Sequence, residues 1–329
     1  MLYRLLRAHP DVHAFQREMR FIVDPGGLFD LVSCLSDSFS TARAREAWRS
    51  FQQLVLYTLD SPDKPPYADF RFSELLGVGY PRIVDGYLTR LLWGTYQGHD
   101  VQTDTPLARH LAGRLGRGLG RRKLISTGMR NWLVEKQNTE QQVVRYFADR
   151  EELMNLTGRF VEELLNAPAA RQGKKTWCEK TPHNLLFADF LQELVPESLF
   201  IHVFRDPRGV AQSFARQTWS SADLRMACRT VRDLYERWFV VRAGLDPDRL
   251  IEIRLEDFAE QALEQFNVVL GRAGLSPLAE LPEPVSLAKV DYWQHSVSAE
   301  ALEIMNEELS GVIERMGYQS RSSGTTNFA

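Results

Sequence analysis

In residues 198–213, SLFIHVFRDPRGVAQS, an apolar, β-rich run from Leu199 to Phe204 gives way to a charged turn and then to helix-forming sequence. The run reads as a buried strand, bounded by Pro196 before it and Pro207 after it. Arg205 stands at its carboxyl end. Asp206-Pro207 then opens a helix, with proline in a favoured early position. In open α/β sheets, ligands bind outside the carboxyl ends of the strands. Ser213 follows Arg205 by eight residues, about two helical turns, so both can line one side of such a crevice. A guanidinium fork with a hydroxyl beside it suits a phosphate group. Taken alone, the same residues also fit a strand-edge arginine followed by an ordinary helix serine.

Working outward, further strand candidates lie at 175–179 and 249–255, separated by helical patterns at 183–194 and 207–245. Strands alternating with helices predict a parallel sheet wound through βα units. Leu263, Phe266, Leu270 and Ala273 mark another amphipathic helix ending near Gly274, and a last helix is expected over 298–316. Leu2, Leu5 and Leu6 give the chain an amphipathic first helix, ended by His9-Pro10. The first half reads differently. Residues 26–60 look largely helical, as do 80–96 and 140–166. Between them lies polar sequence, including the basic, Gly-rich piece GRLGRGLGRR at 113–122, which reads as a flap over an anionic ligand or as a solvated loop. The expectation is one α/β domain over residues 1–318, with a helical insertion in its first half (about 26–166) and a disordered tail at 319–329.

Composition narrows the class of function. The 329 residues are 44% hydrophobic and 25% charged, an ordinary globular balance, and a net charge of −3 gives no pull toward nucleic acid or anionic lipid. No run of about 18 apolar residues is available for a transmembrane helix. The start, MLYRLLRAHPDV, is too short and too charged for a signal peptide. Cys34, Cys178 and Cys228 are odd in number and widely spaced, so they form neither a disulfide framework nor a metal site. These features predict a cytoplasmic protein without metal.

Several segments together resemble the sulfotransferases, especially the bacterial tyrosylprotein- and carbohydrate-modifying type. Arg205-Asp206-Pro207-Arg208 through Ser213 resembles the family segment that holds the 3′-phosphate of 3′-phosphoadenosine 5′-phosphosulfate. Trp177-Cys178-Glu179-Lys180-Thr181-Pro182 resembles the family's W-x-E-K-T-P, which implies that Lys180 points into the cleft. An ammonium there can neutralise charge on a transferring sulfuryl group. His9-Pro10-Asp11-Val12, followed by Arg17 to Phe21, resembles the H-P-x-V segment, and the likeness implies that Glu18 is the general base on the acceptor. A carboxylate whose pKa is raised by partial burial can take that proton. His13 is a lesser candidate for the same task. IEIRLEDF at 251–258 matches the family's (Y)-E-D-(L/M/F) strand, but Leu255 stands where an adenine-contacting aromatic is common. Tyr292 and Trp293 fit either a donor contact or simple packing.

The resemblance therefore implies a P-loop-NTPase-like parallel sheet flanked by helices. It implies a sulfuryl transferase with Glu18 and Lys180 as catalytic residues and with Arg205 and Ser213 as donor-binding residues. The acceptor would be a small-molecule, carbohydrate or peptide hydroxyl or amine, met without nucleic acid, membrane or metal; a homodimer is compatible. In the family a strand and a P-R-S-G-T-T-like loop precede the helix whose counterpart here is Leu2–Ala8, and this sequence starts at that helix. The expectation is thus a chain without the 5′-phosphosulfate loop, through truncation, a loop-less variant or a permutation. The string Ser320-Arg321-Ser322-Ser323-Gly324-Thr325-Thr326 in the tail resembles the loop with one extra serine. The competing expectation is an impaired relative that binds the adenosine bisphosphate or serves as a binding subunit. A kinase of related topology ranks low, since no G-x-x-x-x-G-K-[ST] is present.

Overall fold

The computed structural model describes residues 1–56, 72–98, 139–285 and 292–319. Its strands are β1 (Val12–Ala14), β2 (Leu92–Gly98), β3 (Thr139–Val144), β4 (Thr176–Cys178), β5 (Phe200–Phe204) and β6 (Leu250–Arg254). Two compact units divide the chain: Met1–Val23, Phe70–Val78 and Thr157–Ala329 form one, while Asp24–Asp69 and Gly79–Leu156 form the other.

The first unit is α/β. β1 pairs in parallel with β4, Val12 opposite Thr176 and Ala14 opposite Cys178, and β5 pairs in parallel with β6, Phe200 opposite Leu250 and Phe204 opposite Arg254. The expected sheet is thus present as two parallel ladders among the described residues. Parallel pairing aligns carboxyl ends, so whatever follows β1 meets whatever follows β4, and likewise for β5 and β6. Leu2, Leu5 and Leu6 of the first helix pack with Val12, Ile253 and Phe258. On another face, Val231, Trp238 and Val241 of the Leu224–Arg242 helix pack with Leu309, Val312 and Ile313 of the Ala299–Arg315 helix. Truncating one such buried leucine costs about 2–5 kcal/mol. The same two helices are joined by Glu308, which receives Arg225 (2.6 Å), Arg229 (3.0 Å) and Arg232 (3.3 Å). The Arg229 and Arg225 guanidinia hold its carboxyl down at about 2.

The second unit contains the Leu28–Leu35 and Thr41–Leu56 helices, whose buried stripes include Leu28, Leu31, Leu35, Trp48 and Phe51. Trp48 Nε1 donates to the Leu88 carbonyl at 3.1 Å. The expected helix at 80–96 is shorter: it spans Tyr80–Arg90, and the chain then turns into β2, antiparallel to β3. The expected helix from residue 140 likewise gives way to β3, and helix begins only at Arg150. Asp149 Oδ1 accepts the Glu151 N–H at 2.9 Å, a cap that delays the start. These two segments become strands because each completes the other's backbone hydrogen bonds, a partnership that local periodicity cannot register. The Gly-rich piece at 113–122 and the string at 320–326 lie outside the described residues.

Candidate active site

The β5–β6 end is built around buried ions. Asp206 caps the Pro207–Ala215 helix by accepting the Arg208 N–H at 2.9 Å. Its carboxylate also grips the Arg208 side chain twice, from Nε at 3.0 Å and Nη2 at 2.7 Å. Arg208 is almost wholly buried and reaches onward to Asn306 Oδ1 at 3.1 Å. The Asp206 N–H donates to Glu256 Oε1 at 3.2 Å, and the Tyr318 hydroxyl donates to Glu256 Oε2 at 2.8 Å. So the glutamate of L-E-D-F ties the turn after β6 to the turn after β5, and the second arginine of R-D-P-R ties that same turn to Asn306 of the Ala299–Arg315 helix.

That scaffold presents Arg205. Its carbonyl accepts from the Tyr235 hydroxyl at 3.4 Å, and its Nη2 donates to the Gly209 carbonyl at 2.9 Å. Gly209 lies one helical turn before Ser213, so the guanidinium is laid along the helix flank that carries the serine. A cavity of about 190 Å³ opens there, lined by Arg205, Gly209, Gln212, Ser213, Arg216 and Trp293. A single water needs only about 15 Å³ of such space. Trp293 is buried against Gly209: a Cβ on that glycine would stand 2.7 Å from the indole Cδ1. Trp293 therefore both packs and lines the cavity, with Arg208 stacked over its ring at 5.2 Å.

The β1–β4 end brings Glu18 and Lys180 together. Lys180 Nζ lies 3.3 Å from Glu18 Oε1, with Glu18 about one-third and Lys180 about half exposed. Beneath them is Glu179, to which the sequence assigns no role. It accepts the Met19 N–H at 2.9 Å and Asn184 Nδ2 at 2.7 Å, as well as the Thr181 hydroxyl. Burial raises its pKa, partly opposed by the Thr181 and Met19 hydrogen bonds. Glu179 thus fixes the main chain next to Glu18 from the residue before Lys180. His13 is engaged elsewhere, its Nδ1 3.2 Å from Gln172 Oε1 and its ring edge-on to Phe15. Leu255 starts the short Leu255–Glu260 helix. Among the described residues no group of three or more His, Cys, Asp or Glu could hold a metal ion, and no helix is long and apolar enough to cross a membrane.

A family model described as the sulfotransferase family matches residues 99–280, more than half of the chain. The chain belongs to the sulfotransferase family. It is accordingly a transferase whose chemistry is sulfuryl transfer, and Lys180, Arg205 and Ser213 all fall inside the matched span, while Glu18 precedes it. No curated protein matches this sulfotransferase. Among solved structures it is similar to a sulfotransferase domain from the curacin biosynthetic pathway, at 14% identity and a TM-score of 0.37, over 65% of this chain and 81% of that one. It is also similar to the sulfotransferase domain of the Synechococcus PCC 7002 olefin synthase, at 13% identity and a TM-score of 0.41, over 97% and 90%.

Proposed function

We propose that this sulfotransferase moves a sulfuryl group from 3′-phosphoadenosine 5′-phosphosulfate to a hydroxyl or amine acceptor. The observation that carries this reading is the shared cavity of Arg205 and Ser213, two groups suited to a phosphate and spaced as in the family segment. Arg205 supplies paired N–H donors and a fixed positive charge to the 3′-phosphate, and Ser213 adds a hydroxyl donor. Lys180 offers an ammonium to the charge that develops as the bond between sulfur and the phosphate oxygen breaks. Glu18 takes the acceptor proton as the new sulfur–oxygen or sulfur–nitrogen bond forms, and adenosine 3′,5′-bisphosphate leaves. The Lys180–Glu18 ion pair supports the assignment of both groups to one reaction centre. The acceptor is proposed as a small-molecule, carbohydrate or peptide hydroxyl or amine.

The test is release of adenosine 3′,5′-bisphosphate from the donor in the presence of a panel of phenolic, alcoholic and amine acceptors. Glu18→Gln is expected to lower kcat by about 100- to 10,000-fold with donor binding unchanged. Undiminished turnover in Glu18→Gln would remove it as the base.

A further inference from the structure

The cavity face of the Pro207–Ala215 helix carries a second cation. Gly209, Gln212, Ser213 and Arg216 recur at i, i+3, i+4 and i+7, the spacing of one helical stripe, and all four line the cavity with Arg205. Arg216 is exposed at the helix C-terminus, yet its guanidinium is directed: Nη2 donates to Ser296 Oγ at 3.3 Å. Gln212 Nε2 donates to the same oxygen at 3.0 Å, and Ser296 Oγ donates to the Trp293 carbonyl at 3.2 Å. The segment that carries the cavity's tryptophan thus also orients Arg216 at its rim.

We infer that Arg216 is a second guanidinium for the phosphate held by Arg205 and Ser213, and that it makes the site selective for nucleotides phosphorylated at that position. The inference rests on the proposed donor site. A phosphate monoester carries about −1.5 to −2 charges at pH 7, so one arginine leaves much of it uncompensated and two bring the balance near zero. Exposure limits the gain, because solvent and salt screen a surface pair.

Calorimetric titration with adenosine 3′,5′-bisphosphate and with adenosine 5′-monophosphate, at low and high salt, tests this. Arg216→Ala is expected to weaken bisphosphate binding about fivefold at low salt, less at high salt, and to leave the monophosphate affinity unchanged. Ser296→Ala, which keeps the guanidinium and removes its tether, is expected to match the parent within about twofold. An equal loss for both nucleotides, or no loss for either, would overturn the role of Arg216. If Arg205→Ala abolishes binding while Arg216→Ala has no effect, only this inference fails. If the parent chain does not bind the bisphosphate, the donor reading and this inference both fall.

Discussion

Replacing Arg208 by alanine removes the partner of a buried carboxylate. Asp206 and Arg208 side chains are 7% and 2% exposed, and two hydrogen bonds of 3.0 and 2.7 Å join them. Removing one member of such a buried pair costs about 3–5 kcal/mol, because the other charge stays desolvated. For a domain of 150–250 residues each kcal/mol lowers Tm by roughly 2–4 °C, so a fall of roughly 6–20 °C is expected. The double variant Asp206→Asn/Arg208→Met keeps the volume and a capping side chain but discards both charges. It should recover much of the loss, since an apolar substitute for a buried pair is often close to neutral. Differential scanning calorimetry and circular dichroism melts of the three proteins measure both effects. An Arg208→Ala Tm within 2 °C of wild type, or a double variant no better than the single one, would show that the buried charge is not what the arginine compensates.

Two further predictions concern pH. Burial raises the Glu179 pKa, so the native state binds its proton more tightly than the unfolded chain does. The stability margin of wild type over Glu179→Gln is therefore expected to shrink as pH rises from about 4.5 through the raised value, read from urea midpoints at several pH values. Glu308 has the opposite sign: held at about 2 by Arg229 and Arg225, it contributes stability above the ordinary carboxylate range. That contribution should disappear as pH falls toward 2, and a Glu308→Gln variant should show a flatter acid limb; an identical limb would discount the arginine cluster.

Legibility in the sequence follows the range of the interactions involved. β5 carries a mostly apolar run and β6 an alternation of apolar and charged residues, so both strands were visible locally, as was the helix that Asp206-Pro207 opens. β1 has only three residues and no period of its own; it exists as a strand through β4, 164 positions away at Val12 and Thr176. β2 and β3 were hidden for the same reason, their partner strands lying some forty residues apart. The Arg205–Ser213 pair was readable because both members belong to one local strand–turn–helix segment. The Glu18–Lys180 pair spans 162 positions and was reachable only through the family likeness. Glu179, Arg208 and Glu256 were missed as organisers, although a clue was present. Each lies within four residues of a strand end inside one of the family-like motifs, where a charge not aimed at ligand must be held by the protein.

Whether Arg205 holds a 3′-phosphate at the end of β5 is decided by calorimetric titration of the protein with adenosine 3′,5′-bisphosphate. Micromolar binding is predicted, weakened at least about tenfold in Arg205→Ala, the loss of one charge-assisted contact of about 1.5 kcal/mol or more. Binding of equal strength in Arg205→Ala, or none in the parent chain, would contradict that role.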